Sequence, residues 1–309
     1  MNLRDLSYLI AVAEERHFGR AAEACFVSQP TLSTQIRKLE SELGVTLVER
    51  ARGRVLLTPV GEKIVERARA ALGAVADMEA LARAARDPEA GIVQLGVLPT
   101  SGPYLMPHVL RRVRERYPRV QLRLVEEKTD ALLSRLRTGG LDAVICALPV
   151  EDAGLHVEPL FEEPFVLATP AGHRLAGKDD LGIADLAGEQ LLLLEHGHCL
   201  RDQALDVCRM AGAAEKGQFQ ATSLETLREM VAVDVGGITL LPLLAVQPPV
   251  ARPHSLRLTA FAGRAPARRM AMLWRASAVP AELLGGIATI IRHLPAHLLD
   301  PTTLPVHAA

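Results

Sequence analysis

The stretch Gly19-Arg20-Ala21-Ala22-Glu23-Ala24-Cys25-Phe26-Val27-Ser28-Gln29-Pro30-Thr31-Leu32-Ser33 reads as one short helix, a turn, and the start of a second helix. The small residues between Gly19 and Cys25 allow close helix contact. Ser28 can cap the helix that follows, and Pro30 is tolerated in its first turn, where a missing N–H has no intrahelical partner. That helix carries Leu32, Ile36, Leu39 and Leu43 at a four-three-four spacing, a stripe to be buried. Gly44 tolerates the left-handed conformation that ends it. Its opposite face carries Thr34, Arg37, Lys38 and Ser41, flanked by Thr31, Ser33 and Gln35. Upstream, Leu3, Leu6, Leu9, Ile10 and Ala13 recur at helical spacing over residues 3–16.

Two helices joined by a short turn, the second polar and basic outside, match a helix-turn-helix, whose second helix enters the major groove N-terminus first. Gln29, Pro30, Thr31, Ser33 and Thr34 are then candidates for base edges, and Arg37 and Lys38 for phosphates. Residues 47–57 read as two short strands around a basic turn. On such a wing, Arg50, Arg52 and Arg54 meet the adjoining backbone or minor groove. A small helical bundle with a solvated charged face is the plainer alternative. Thr58-Pro59 caps a further helix running to about Arg86, with Ile64, Ala68, Ala71, Val75, Met78, Ala82 and Ala85 at coiled-coil a/d spacing. Pairing with a second copy buries that seam and sets two recognition helices on a roughly palindromic site; packing on its own domain is the other option. Asp87-Pro88-Glu89-Ala90-Gly91 breaks the helix and marks a domain boundary.

The whole chain has 309 residues, 35 Lys plus Arg against 36 Asp plus Glu, and 49% hydrophobic residues. Its near-zero net charge excludes holding nucleic acid by overall charge, though not by a local basic face. No apolar run approaches the ~20 residues of a membrane-spanning helix, and no signal-peptide pattern opens the chain, so the cytosol is the expected compartment. From Ile92 onward, strand-like runs at Ile92–Leu98, Val120–Val125 and Ala143–Leu148 alternate with helical stretches near 104–116 and 129–138. That alternation implies a parallel sheet with right-handed crossovers. Glu162-Glu163-Pro164 leads into Phe165–Ala168, then Gln190–Leu194, a helix after Ser223, and Gly237–Leu241 follow. Arg269–Leu273 and a helix around 280–293 come last. The order predicts two similar lobes, with the chain crossing at about 162–165 and returning near 264–268, and a cleft between them suited to a ligand or reactive centre. No P-loop, Gly-rich phosphate loop, nucleophile elbow or zinc-protease motif is present, so no enzymatic activity is expected.

Four cysteines are too few for a disulfide scaffold in a chain this long. Cys25 and Cys146 lie in packed, apolar surroundings and read as small hydrophobes. Cys199 and Cys208 lie instead in a polar loop leading into a helical stretch. His198 and Arg201 are positioned in sequence to stabilise a thiolate at Cys199. If the nine-residue separation is helical, the Cα atoms lie about 13 Å apart, whereas a disulfide needs them within ~7 Å. Closing the bond then requires local refolding, the property of a switch. Two unrelated surface cysteines, or a zinc site built from His196, His198, Cys199 and Cys208, are the alternatives.

Phe18-Gly19-Arg20-Ala21-Ala22 and Val27-Ser28-Gln29-Pro30-Thr31-Leu32-Ser33 resemble the winged helix-turn-helix of LysR-type transcriptional regulators. Pro99-Thr100-Ser101-Gly102-Pro103-Tyr104-Leu105, Gly197-His198-Cys199-Leu200-Arg201-Asp202-Gln203 with Cys208, and Ala221-Thr222-Ser223-Leu224-Glu225-Thr226-Leu227 extend the resemblance to the OxyR peroxide sensors. The resemblance implies an α/β chain in three parts. A winged helix-turn-helix spans 1–58 and a linker and dimerisation helix 59–87. A two-lobed, periplasmic-binding-protein-like regulatory domain spans 88–309, with lobe I about 88–162 and 268–309 and lobe II about 163–267. It also implies that Cys199 is the peroxidatic thiolate and Cys208 the resolving thiol of a reversible disulfide, with Thr100, Thr129, His198 and Arg268 binding or assisting peroxide. Arg269 leaves the register of that arginine open, and Asp202 either orients a donor near Cys199 or caps the following helix. Residues 230–237 are one residue longer than the family's usual Gly-rich turn. The implied partners are promoter DNA, hydrogen peroxide, RNA polymerase, cellular thiol reductants and further copies of the chain, up to a homotetramer. No cofactor, metal or membrane is implied. The alternative function is a LysR-type regulator that responds to a small metabolite in the interlobe cleft.

Overall fold

A computed structural model describes residues 1–51, 54–84, 91–151, 153–251, 253–278 and 281–304. It divides into two compact units, Met1–Arg83 with Ser134–Leu141, and Ala84–Leu133 with Asp142–Ala309.

The first unit opens with α1 (Leu3–Glu15), capped by Asn2, then α2 (Phe18–Ala24) and α3 (Gln29–Leu43). The Ser28 hydroxyl accepts the Thr31 N–H at 3.3 Å, and Gly44 closes α3 at a φ of +69°. Leu32, Ile36 and Leu39 join Leu9, Val12 and Ala21 in one apolar core. Leu43, expected on the same stripe, is instead 36% exposed. It occupies the last turn, where α3 has outrun the helices that cover its middle. Strands β1 (Val48–Ala51) and β2 (Arg54–Leu57) pair antiparallel as the wing. Glu40 fixes the start of the wing by accepting the Leu47 and Val48 N–H groups at 2.8 and 3.1 Å. Thr58 caps α4 (Pro59–Ala84) through the Gly61 N–H. Of the heptad positions, Ala68 is buried and Ile64 packs against the core, while Met78 is 61% exposed; Ala85 lies outside the described residues.

In the second unit β3 (Gly91–Val97), β4 (Val120–Glu126) and β5 (Ala143–Leu148) are parallel, with α5 (Gly102–Arg116) and α6 (Thr129–Arg137), whose residues from Ser134 on are counted with the first unit, as the crossovers. The longest strand is β6 (Leu155–Pro170). Its first part pairs antiparallel with β11 (Ala267–Arg275), and from Phe165 onward it pairs with β9 (Thr239–Pro242) and β10 (Leu256–Thr259). One strand therefore runs through both lobes, and Glu162-Glu163-Pro164 lies in its middle rather than in a lead-in. The expected parallel sheet is a mixed one, because β11 inserts antiparallel between β5 and β6. The second lobe adds a parallel pair, β7 (Gln190–Leu194) and β8 (Ala214–Ala221), with α7 (Cys199–Ala211) between them and α8 (Leu224–Ala232) after them. Helix α9 (Ala281–Arg292) completes the unit, with Leu284, Ile287 and Ile291 buried. No helix among the described residues is long and apolar enough to cross a membrane.

Candidate functional site

Four segments of the second unit converge on Cys199, the first residue of α7. Gly197 turns the preceding loop at a φ of +90°, a conformation L side chains rarely adopt, and a Cβ there would meet Lys128 Cδ at 3.1 Å. Lys128 Nζ donates to Glu195 Oε1 at 2.6 Å and to the His196 carbonyl at 3.0 Å. This clamp holds the start of α6, and with it Thr129, over the loop that launches α7. The turn after β3 supplies Thr100, 3% exposed, and β11 supplies Arg268, 1% exposed.

Arg268 is held at every edge of its guanidinium. Nη1 donates to Thr100 Oγ1 at 3.1 Å, Nη2 to the Thr100 carbonyl at 3.0 Å, and Nε to Glu163 Oε2 at 2.8 Å. The other Glu163 oxygen accepts the Leu244 N–H at 3.1 Å. Strand alternation turns the neighbouring Arg269 out to solvent, which settles which arginine faces inward.

Burial pushes the Cys199 thiol above its ordinary pKa. The Arg268 charge, the Thr129 hydroxyl and the Leu200 N–H oppose that push, and the Asp202 carboxylate adds to it. The residue keeps partial solvent access while its thiol is largely desolvated. Cys146, fully buried on β5, is pushed up to about 12, first by burial and then by Cys199. His198 is lowered by burial and by Lys128, against the pull of Glu195, which favours its neutral form. Thr129 Oγ1 and His198 Nε2 are buried and make no hydrogen bond of ordinary geometry among the described residues, and neither does Gln203 Oε1. Unpaired buried polar atoms cost ~1–3 kcal/mol each, so this lining suits a small guest that both donates and accepts hydrogen bonds.

Of the two neighbours read as cations or donors for the thiol, His198 is held toward its neutral form, a donor rather than a cation, and Arg201 is turned away. Arg201, two positions on, lies about 200° around the helix and points away; it donates to the Leu194 carbonyl at 2.9 Å and to both Glu215 oxygens at 2.8 Å. The positive charge comes instead from Arg268, on a distant strand. Asp202 is exposed in the first turn of α7, a favourable place for an anion at a helix N-terminus, but not the cap position. Residues 230–237 form the end of α8 and a turn with Asp234 and Gly236 at φ +54° and +84°. Cys208 lies within α7, and its side chain lies outside the described residues. Cys25 caps the C-terminus of α2 and is only partly buried, unlike the fully buried Cys146. Among the described residues, no group of three or more His, Cys, Asp or Glu is placed to hold a metal. Local sequence gave no reason to single out Lys128 and Glu163.

On α3, Gln29, Pro30, Thr31, Thr34, Arg37 and Lys38 are exposed. Ser33 is not, contrary to its reading as a base contact: it is 8% exposed and its hydroxyl accepts Arg37 Nη2 at 3.3 Å. It lies next to Leu32 on the inward-facing side of the helix, where it steadies Arg37 instead. Arg52 lies outside the described residues, as do the side chains of Arg50 and Arg54.

Residues 3–62 match the model of the bacterial regulatory helix-turn-helix proteins of the lysR family, and residues 86–294 match the LysR substrate binding domain. The chain is 51% identical over 248 residues to the DNA-binding transcriptional dual regulator OxyR of Escherichia coli, covering 80% of this chain and 81% of that one. Full-length OxyR of Pseudomonas aeruginosa, with a cysteine-to-aspartate substitution, superposes with a TM-score of 0.68 at 39% identity, covering 97% of this chain and 100% of that one. A cysteine-to-serine variant of Corynebacterium glutamicum OxyR, with hydrogen peroxide bound, gives 0.63 at 36% identity over 94% of this chain and 93% of that one. A helix-turn-helix with its wing, a two-lobed α/β domain and these matches over nearly the whole length lead to one assignment: the chain belongs to the LysR family of bacterial regulators, in its OxyR group of hydrogen peroxide-inducible genes activators.

Proposed function

We propose that this peroxide-sensing transcriptional regulator is triggered at Cys199 and reads DNA through α3. The observation that carries the trigger is a largely desolvated thiol at a helix N-terminus, flanked by the buried Thr129 hydroxyl, by His198 Nε2, which has no hydrogen-bond partner among the described residues, and by the charge of Arg268. The Cys199 thiolate attacks one oxygen of hydrogen peroxide and the O–O bond breaks. Sulfur takes that oxygen as a sulfenic acid, and the other oxygen leaves as hydroxide, protonated to water. Donors that favour this leaving charge over bound peroxide accelerate the step. Thr129, His198, Thr100 and Arg268 fill that role. The Cys208 thiol then displaces water from the sulfenic acid to form the Cys199–Cys208 disulfide, which two equivalents of cellular thiol reverse.

The switch follows from α7. Nine positions along an α-helix carry the Cα about 14 Å away and to the opposite side of the axis. The bond therefore closes only when α7 unwinds. In this reading, residues 59–87 pair two chains and pairs assemble into tetramers, so refolding of α7 re-spaces the helix-turn-helix units on promoter DNA and alters contact with RNA polymerase. The regulatory domain is 88–309, with lobe II at about 163–267, and the setting is the bacterial cytoplasm. Mass analysis after about one equivalent of peroxide tests the trigger. Wild type forms a Cys199–Cys208 bond, and Cys208→Ser accumulates sulfenate or mixed disulfide at Cys199. If Cys199→Ser and Cys208→Ser both keep a wild-type DNA response to peroxide, the assignment is wrong.

A further inference from the structure

We infer that Glu163 sets both the direction and the effective charge of the Arg268 guanidinium beside Cys199, as a positioning residue for the peroxide step. The inference rests on the assignment of Cys199 and Arg268 above. Glu163 and Arg268 are direct cross-strand partners on β6 and β11, and neither side chain has any solvent exposure. The carboxylate cannot swing, because one oxygen is tied to the Leu244 N–H and the other to Arg268 Nε. The planar guanidinium is therefore gripped along its Nε–Nη2 edge, both nitrogens 2.8 Å from Glu163 Oε2, while Nη1 reaches the Thr100 hydroxyl and Nη2 also donates to the Thr100 carbonyl. A polar chain results, from Leu244 through Glu163 and Arg268 to Thr100, crossing the sheet where β6 exchanges β11 for β9.

Charge is the second consequence. A bare guanidinium in a low-dielectric site would pull strongly on the thiol. Paired with Glu163 it presents a dipole, and the ionised and titratable groups facing Cys199 are then Arg268, Asp202 and Cys146, with the Thr129 hydroxyl and Leu200 N–H as neutral donors. Glu163 thus tempers the pull of Arg268 on the resting thiol and leaves Arg268 oriented for the hydroxide that departs when O–O breaks.

Two variants separate charge from direction. Glu163→Gln removes the charge, and its single amide oxygen can serve only one of the two donors. The pH midpoint of Cys199 alkylation by iodoacetamide should fall by about half a unit or more, roughly threefold faster alkylation at a fixed pH below the midpoint. Glu163→Asp keeps the charge but shortens the arm. Its alkylation midpoint should stay within about 0.2 unit, while Cys199 oxidation by hydrogen peroxide slows at least about fivefold as Arg268 is drawn off Thr100. An unchanged midpoint in a folded Glu163→Gln, or wild-type oxidation in Glu163→Asp, overturns the inference. If Glu163→Gln does not fold, the Asp variant decides alone. Alkylation requires only a titrating thiol, so a wild type that alkylates at Cys199 yet never oxidises there refutes the peroxide assignment instead.

Discussion

The disulfide proposed for α7 should be unusually easy to reduce, and the size of the effect follows from the helix. Between Cys199 and Cys208 run about six i→i−4 hydrogen bonds, all of which lie on the segment that must open. At a net ~1 kcal/mol each, opening them costs about 6 kcal/mol. Leu200, Ala204 and Val207 are 2%, 3% and 3% exposed, so any of them drawn out of the core adds to that cost. A penalty on the oxidised state alone raises the reduction potential, and with 1.4 kcal/mol equal to 30 mV for a two-electron couple, about 6 kcal/mol is roughly 130 mV. The Cys199–Cys208 couple in the protein should therefore lie at least about 100 mV above the same couple in an unstructured peptide of residues 194–212. Equilibration with glutathione, followed by alkylation and mass counting, measures both. Amide exchange gives the structural counterpart: protection in α7 is present in the dithiol and lost in the disulfide. Equal potentials to within about 30 mV, or α7 amides protected alike in both forms, would refute the reasoning.

Burial holds the Cys199 thiol above its ordinary pKa, so the thiolate is the minor form at neutral pH. Sulfenate formation with excess peroxide should then rise close to tenfold per pH unit between pH 6 and 8 in stopped-flow traces, and a plateau by pH 6 would contradict that assignment. Arg201→Met removes a 4%-exposed guanidinium from the Leu194 carbonyl and a partly solvated Glu215. We expect a loss of roughly 2–3 kcal/mol in urea titration with no movement of the Cys199 alkylation midpoint, since Arg201 points away from the thiol. On DNA, Lys38→Ala should lower the slope of log affinity against log salt by about 1. Ser33→Ala should leave base selectivity intact, because the buried Ser33 hydroxyl contacts Arg37; anisotropy titrations over a salt series on an operator fragment, and on the same fragment with single base substitutions, measure both.

What could be read in the sequence was local. Caps, turns and the four-three-four stripe of α3 involve residues within a few positions of one another, so Ser28, Pro30, Leu32 and Gly44 announce their helix directly. The same reasoning failed where a partner lies far along the chain. Glu163, beside Glu162 and Pro164, looks like a solvated lead-in, yet period-two alternation sets it on the inward face with Phe165 and Leu167. Its buried carboxylate is satisfied by Arg268 and the Leu244 N–H, both some eighty or more residues later. Polar strand β8 was invisible for a similar reason: only pairing with β7 makes a strand of it. Conversely, adjacency misled at Arg201, because two positions along a helix separate side chains rather than join them. Cys199 stood out locally as a cysteine in a polar loop beside His198, whereas Thr100, Thr129 and Arg268 were reachable only by resemblance, because they come from segments far apart in the chain. A site that kept its cysteine fully ionised at rest would expose a general nucleophile to every electrophile in the cell. In the proposed mechanism the thiol is desolvated, Glu163 balances the nearest cation, and neutral donors gain most when negative charge develops on a departing oxygen. Stabilisation reserved for that moment would accelerate the proposed reaction with peroxide more than it stabilises the resting thiolate, which would let a buried sulfur be both quiet and selective.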